Sequence, residues 1–227
     1  MPVTPTVRIQ HNVLALNERR LLTWLAARMP GWATPDKLTA LGLTGAGVVG
    51  AGYALSSVDP MWLWLSIVGF FINWFGDSLD GSLARFRKIE RPLFGYFIDH
   101  SSDALGNMMI MAGIGASPFV RMDVALFGLG AYLLLSIHTF LAARVVAEFR
   151  LSYLAAGPTE LRLVLITMSL VMLATAPVGP VLGPLSGFDL FIGGLGIVLF
   201  VLFIVQTLAT ARKLLNRDAS NRDSRAG

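Results

Sequence analysis

Four aspartates stand in two adjoining apolar stretches. Asp77 and Asp80 lie in the run Asp77-Ser78-Leu79-Asp80-Gly81-Ser82-Leu83-Ala84-Arg85. Asp99 and Asp103 follow Gly95 in the run Asp99-His100-Ser101-Ser102-Asp103. A charge placed among hydrocarbon costs about 2.5 kcal/mol or more, so four carboxylates in such surroundings call for a cation, water or protons. Spacings of three and four residues put each pair on one face of its own helix. Counted back from Lys88 and forward from Pro92, both pairs sit about 10 Å from the turn between the two helices, at 1.5 Å of rise per residue. The four carboxylates are therefore expected to meet. Four anions so close would hold one another's protons unless a cation intervened, and a divalent cation is the economical solution. Oxygen donors without His or Cys suit hard cations, and Mg²⁺ is usually shared between a few carboxylates and the phosphate oxygens of a substrate. Gly81 and Ala84 lie on or next to the aspartate face, where missing side-chain volume would admit a nucleotide or phosphate to the backbone, and Arg85 offers a planar fork for phosphate. Each has a plainer reading as well: small residues occur wherever membrane helices pack, and Arg85 also fits a snorkelling anchor.

The elements that must carry these residues are membrane helices. At 227 residues, 55% hydrophobic and only 14% charged, with a mean hydropathy of +0.66, the chain is too apolar for a soluble domain of its size. Apolar stretches of spanning length fall at residues 38–57, 61–80, 93–117, 122–146, 161–179 and 188–210. The expected fold is an all-α integral membrane protein of six transmembrane helices preceded by an N-terminal interfacial helix. Basic residues support this count. With both termini inside, the cytoplasmic segments collect Arg8, Arg19, Arg20, Arg28 and Lys37, then Arg85, Arg87, Lys88 and Arg91, then Arg144, Arg150 and Arg162, and finally the cluster from Arg212 onward; Arg121 falls outside. The net charge of +4 thus reads as topology and attraction to a lipid surface, with nucleic-acid binding excluded.

Cysteine is absent, which excludes disulfides and thiolate metal sites. No signal-peptide pattern precedes the first span. Residues 1–34 read as a cytoplasmic segment whose stretch from Asn12 to Met29 mixes Leu21, Leu22, Trp24 and Leu25 with Arg19, Arg20 and Arg28. This pattern suits a helix lying in the interface or one packed on the bundle. Residues 35–214 form the six-helix domain, and residues 215–227 read as a disordered cytoplasmic tail.

The pattern Asp-x-x-Asp-Gly-x-x-Ala-Arg, nine residues, Gly, three residues, Asp, three residues, Asp, carried here by Asp77, Asp80, Gly81, Ala84, Arg85, Gly95, Asp99 and Asp103, resembles the signature of the CDP-alcohol phosphotransferase family. Six spans, with the signature crossing from the second to the third, resemble that family too. The resemblance implies transfer of a substituted phosphate from a CDP-linked donor, a CDP-alcohol or CDP-diacylglycerol, to an acceptor hydroxyl of a lipid or polyol, releasing CMP, in phospholipid synthesis. Two divalent cations, Mg²⁺ or Mn²⁺, are implied. Asp77, Asp80 and Asp99 would be their ligands, and Asp103, also near a metal, would be the base that deprotonates the acceptor. Gly81, Ala84, Arg85 and Gly95 would contact the donor. Pro35-Asp36-Lys37-Leu38-Thr39 matches a second family pattern at the start of the first span, implying that Asp36 and Thr39 face the nucleotide; the same residues also suit a helix start capped by Thr34. The acceptor or headgroup would be read by Arg144, Glu148, Arg150, Glu160 and Arg162. Gly157-Pro158-Thr159-Glu160 and Asp99-His100 resemble short stretches of the choline and ethanolamine branch. Pro92 replaces a serine that in other branches touches the donor. The family further implies a homodimer, a cell- or inner-membrane location and an active site on the cytoplasmic side. Two rival readings of the carboxylates are a cation- or proton-coupled transporter and a non-catalytic binding relative. His138 suits a hydrogen bond to a neighbouring helix or a cavity lining, and the glycines from Gly42 to Gly52 suit close helix packing.

Overall fold

Each apolar stretch marked out by hydropathy coincides, over most of its described residues, with a helix. The computed structural model describes residues 13–146, 158–175 and 179–226, and no strand occurs among them. The helices are α1 (Val13–Arg28), α2 (Pro35–Leu55), α3 (Leu63–Arg87), α4 (Pro92–Ala116), α5 (Met122–Val146), α6 (Pro158–Thr175) and α7 (Gly187–Ala226), with a short 3-10 turn at Pro60–Trp62 before α3. Three of them, α2, α5 and α7, are long and apolar enough to cross a membrane on length and composition alone. The outward faces of the bundle carry large exposed apolar side chains such as Phe71, Leu141, Ile197 and Val201, a surface that suits lipid rather than water.

Local chemistry explains the helix ends. Thr34 caps α2 by accepting from Lys37 N at 3.3 Å, and Pro35 occupies the first turn where its missing N–H has no cost. α3 runs seven residues past the apolar stretch, because its signature residues stay helical until Lys88, which terminates the helix in the left-handed region at φ 56°. Pro92 then opens α4, and the chain between the two aspartate-bearing helices is only a short turn. On the opposite side of the bundle Asp189 accepts from Ser186 N at 2.8 Å while Ser186 Oγ accepts from Asp189 N at 3.0 Å, a reciprocal cap that starts α7. α7 continues to Ala226, so residues 215–226 of the segment expected to be a disordered tail are helical here.

α2 is the centre of the packing. It lies against α3 and α4, α5 packs on α4 and α7, and α1 and α6 both rest on α3. Glycines make the α2 contacts close. A Cβ on Gly42 would stand 2.9 Å from Asp77 N, one on Gly69 2.7 Å from Val49 N, and one on Gly50 2.5 Å from Met109 O, so backbone meets backbone as at small-residue membrane interfaces. Asn73 Nδ2 donates to Gly42 O at 2.9 Å and Ser66 Oγ to Val49 O at 3.0 Å across the same seam. The main core gathers Val49, Tyr53, Phe70, Ile110, Ile114, Met168 and Met172 from α2, α3, α4 and α6. A second cluster of Leu22, Ala26, Leu38, Leu79 and Leu83 seats α1 on α2 and α3, leaving Leu21 and Trp24 exposed. Arg87 locks this seat by donating to Met29, Pro30 and Ala33 carbonyls at 3.1, 2.9 and 2.5 Å, which satisfies groups past the end of α1. His138 pairs with Thr207 Oγ1 at 3.2 Å, an α5 to α7 bond.

Candidate functional site

Asp77 on α3 and Asp99 and Asp103 on α4 converge. Each of the three offers a carboxylate oxygen, and these atoms all lie within 4.8 Å of one another. The helical period supplies the pairing on α4, and the tight turn between α3 and α4 brings the second helix back at the same depth. Carboxylates in such proximity demand a cation or a shared proton, and an all-oxygen donor set of this geometry suits a hard divalent ion. The residues present therefore fit a divalent metal.

Asp80 is not part of this group of three. It lies one turn along α3, 9% exposed, between α2 and α3, where Thr39 Oγ1 donates to its Oδ2 at 2.5 Å and Gly81 N to its Oδ1 at 2.5 Å. Asp99 and Asp77 remain close enough for Asp80 to feel both charges. The expected meeting of four carboxylates thus becomes a group of three with a fourth alongside, held by α2. Thr39, expected to face a nucleotide, directs its hydroxyl to Asp80 and also reaches Pro35 O at 3.2 Å.

The other signature residues form the wall nearest the α3–α4 turn. The Arg85 side chain folds back along α3: a Cβ on Gly81 would meet Arg85 Nη1 at 3.3 Å, and Arg85 Nη2 donates to Ser82 Oγ at 3.1 Å. Gly95 faces open space, with nothing within 4 Å of where its Cβ would be. Ala84 is half-buried beside them. Asp36 forms an ion pair with Arg91 at the start of α4, both side chains about half exposed, so the opening of α2 and the α3–α4 turn are joined across the mouth of the site.

Of the residues assigned to the acceptor, Arg162 enters the site. Its Nη2 forms an ion pair with Asp77 Oδ2, and its Nε donates to Asn73 Oδ1 at 2.8 Å. Glu160 lies in the first turn of α6, and Arg144 belongs to the last turn of α5. Glu148 and Arg150, with Gly157, lie outside the described residues. Sequence reasoning missed Asn73, although it stands one turn before Asp77 on the same face and is a polar residue in an apolar run. It also passed over Arg91 as a partner for Asp36. Asn107 extends the Asp99 and Asp103 stripe by one more turn, a signal available from the spacing alone.

Comparison with known proteins points the same way. Residues 32–211 match the model of the CDP-alcohol phosphatidyltransferase family. Cholinephosphotransferase 1 of Danio rerio is 33% identical over 107 residues, 42% of this chain and 28% of the relative. Cholinephosphotransferase 1 of Gallus gallus is 29% identical over 96 residues, 40% of this chain and 28% of the relative. Archaetidylinositol phosphate synthase of Methanothermobacter thermautotrophicus is 34% identical over 119 residues, 52% of this chain and 56% of the relative. The matched region thus spans between about a quarter and somewhat over half of these relatives' own lengths. With its signature carboxylates grouped on α3 and α4 and the family model covering most of its length, this multi-pass membrane protein belongs to the CDP-alcohol phosphatidyltransferase family.

Proposed function

We propose that the protein is a membrane transferase that moves a substituted phosphate from a CDP-linked donor to an acceptor hydroxyl and releases CMP, in phospholipid synthesis. The observation that carries this reading is the approach of Asp77, Asp99 and Asp103 to within 4.8 Å in the family's own signature. Asp77, Asp80 and Asp99 would hold two divalent cations, Mg²⁺ or Mn²⁺, with Asp103 near them. When bound, the cations supply neutralisation of charge on the donor diphosphate. Gly81, Ala84 and Gly95 leave room for the cytidine diphosphate to approach the helices, and Arg85 turns its guanidinium from Ser82 to phosphate oxygen. Asp36 lies at the mouth and takes part in holding the nucleotide. Thr39 acts through Asp80, whose carboxylate it fixes.

Asp103 accepts the proton of the acceptor hydroxyl. The freed oxygen pair attacks the phosphorus distal to cytidine; the new P–O bond forms as the P–O bond to CMP breaks, and CMP departs with the electron pair. Arg162, and with it Arg144, Glu148 and Glu160, reads the acceptor or headgroup. All six helices α2 to α7 cross the membrane, α1 lies in the cytoplasmic interface, both termini and the active site face the cytoplasm at the cell or inner membrane, and the protein works as a homodimer.

The decisive experiment incubates the purified protein in lipid bilayers with CDP-choline, CDP-ethanolamine or CDP-diacylglycerol and a lipid and polyol extract, and identifies products by mass spectrometry. CMP release that requires Mg²⁺ or Mn²⁺ and yields a phosphodiester product is the expected result. Metal or proton flux in proteoliposomes, with no CMP from any donor, would overturn it.

A further inference from the structure

A carboxylate from outside the signature is wired into the site. Glu18, on the N-terminal helix α1, accepts two hydrogen bonds on its Oε1: from Trp74 Nε1 at 2.8 Å and from Thr159 Oγ1 at 2.7 Å. Trp74 belongs to α3 and is the immediate neighbour of Asn73; Thr159 belongs to the first turn of α6, three residues before Arg162. Thr159 and Arg162, three residues apart, share one face of α6. α6 is thus attached to α3 at two successive points. At the first, Thr159 reaches Trp74 through the Glu18 oxygen. At the second, Arg162 reaches Asn73 at 2.8 Å and pairs with Asp77.

Arginine is a long side chain with much rotamer freedom to lose. Holding its guanidinium on one carboxylate costs that freedom, and the cost rises if the backbone that carries it also moves. Helix ends fray, and α6 starts at Pro158. An acceptor oxygen that receives an indole N–H and a hydroxyl at once makes two directional bonds, one on each of the helices to be joined.

We propose that Glu18 is a positioning residue: by clamping the first turn of α6 to α3 it holds the Arg162 guanidinium on Asp77 and Asn73. Arg162 then acts as a tethered cation that neutralises Asp77 and competes with the metal for it, and α1 controls how firmly it does so. The proposal rests on the reading that Asp77 helps to hold a divalent ion.

The test uses Mn²⁺ alone as probe, titrated by electron paramagnetic resonance into the full-length protein in lipid nanodiscs. Removing the guanidinium in Arg162→Gln should tighten Mn²⁺ binding about fivefold, since a nearby positive charge is lost. Glu18→Leu and Thr159→Val should tighten it about threefold. Glu18→Gln and Thr159→Ser keep an oxygen where it is needed and should leave affinity unchanged, which separates the bonds from the charge of Glu18. In the Arg162→Gln background Glu18→Leu should add nothing. Unchanged affinity in Arg162→Gln, unchanged affinity in both Glu18→Leu and Thr159→Val, or an effect of Glu18→Leu that persists without Arg162, overturns the proposal. A wild-type protein that binds no Mn²⁺ refutes the metal reading instead. The clamp is then judged by hydrogen–deuterium exchange across residues 158–165, which Glu18→Leu must accelerate and Glu18→Gln must not; equal exchange in the two overturns it.

Discussion

Thr39 and Asp80 are joined by a 2.5 Å hydrogen bond across the seam between α2 and α3. The first long helix of the domain therefore fixes the orientation of a signature carboxylate that belongs to the second. Outer partners of metal-binding carboxylates set their direction, and losing one typically costs 10- to 100-fold in metal affinity. Thr39→Val should raise the Mn²⁺ or Mg²⁺ concentration needed for half-maximal CMP release by roughly tenfold, while Thr39→Ser keeps the hydroxyl and stays near wild type. Asp80→Ala should have the larger effect. A cation titration of all three variants decides the matter, and an unaltered requirement in Thr39→Val removes the supporting role.

Asp103→Asn keeps the shape and takes away the base. Turnover should fall by about 10²- to 10⁴-fold, while the folded protein still binds CDP-linked donor in calorimetry. Near-normal CMP release from this variant would show that another group takes the acceptor proton.

The glycine seam gives a packing prediction with an internal control. A Cβ on Gly76 would stand 2.5 Å from Leu38 O and clash with the backbone of Gly42, whereas Gly47 has nothing within 4 Å of the same position. Gly76→Ala should therefore force α2 and α3 apart at a cost of about 1–3 kcal/mol, with lower thermal stability in detergent and weaker cation binding, since Thr39 would lose its reach to Asp80. Gly47→Ala should match wild type or exceed it slightly, because alanine favours the helix. Equal melting temperatures for the two variants would contradict this seam.

Tyr53 is fully buried on α2, and its hydroxyl meets Ser169 Oγ of α6 at 2.7 Å. Ser169 also bonds Leu165 O at 2.9 Å, so Tyr53→Phe leaves the serine satisfied. The loss should be modest, about 1 kcal/mol, visible as a small drop in melting temperature with cation affinity intact. A collapse of cation binding in this variant would mean that α6 is seated mainly by this bond rather than by its contacts near Arg162.

Much of the site could be read from residue spacing because helical periodicity is local. Asp99 and Asp103 share a face for that reason, and the brief turn from Lys88 to Arg91 turns the chain back so that α4 packs on α2 and carries this face to Asp77. The helical state of the apolar runs was legible for an equally simple reason, since a backbone kept from water satisfies its hydrogen bonds within a helix. The extent of α7 was less so: the polar residues after Leu215 carry no hydropathy signal and include weak helix formers such as Asn216, Asp218 and Asn221, yet the helix runs on through them to Ala226.

The sequence by itself determined the chemistry on offer: oxygen donors at helical spacing, in a pattern that belongs to one family, on helices that suit a membrane. Only the tertiary structure decided which donors meet. Periodicity places Asp77 and Asp80 on neighbouring positions of one face, but it cannot say that the close backbone approach at Gly42, Gly69 and Gly50 turns Asp80 toward Thr39 and leaves Asp77 with Asp99 and Asp103. Nor could it bring Glu18 to Thr159 or Arg162 to Asp77, pairs far apart in the chain. Those contacts arise from how three helices rotate and settle against α3, a choice made by packing over the whole interface and recorded in no short stretch of residues.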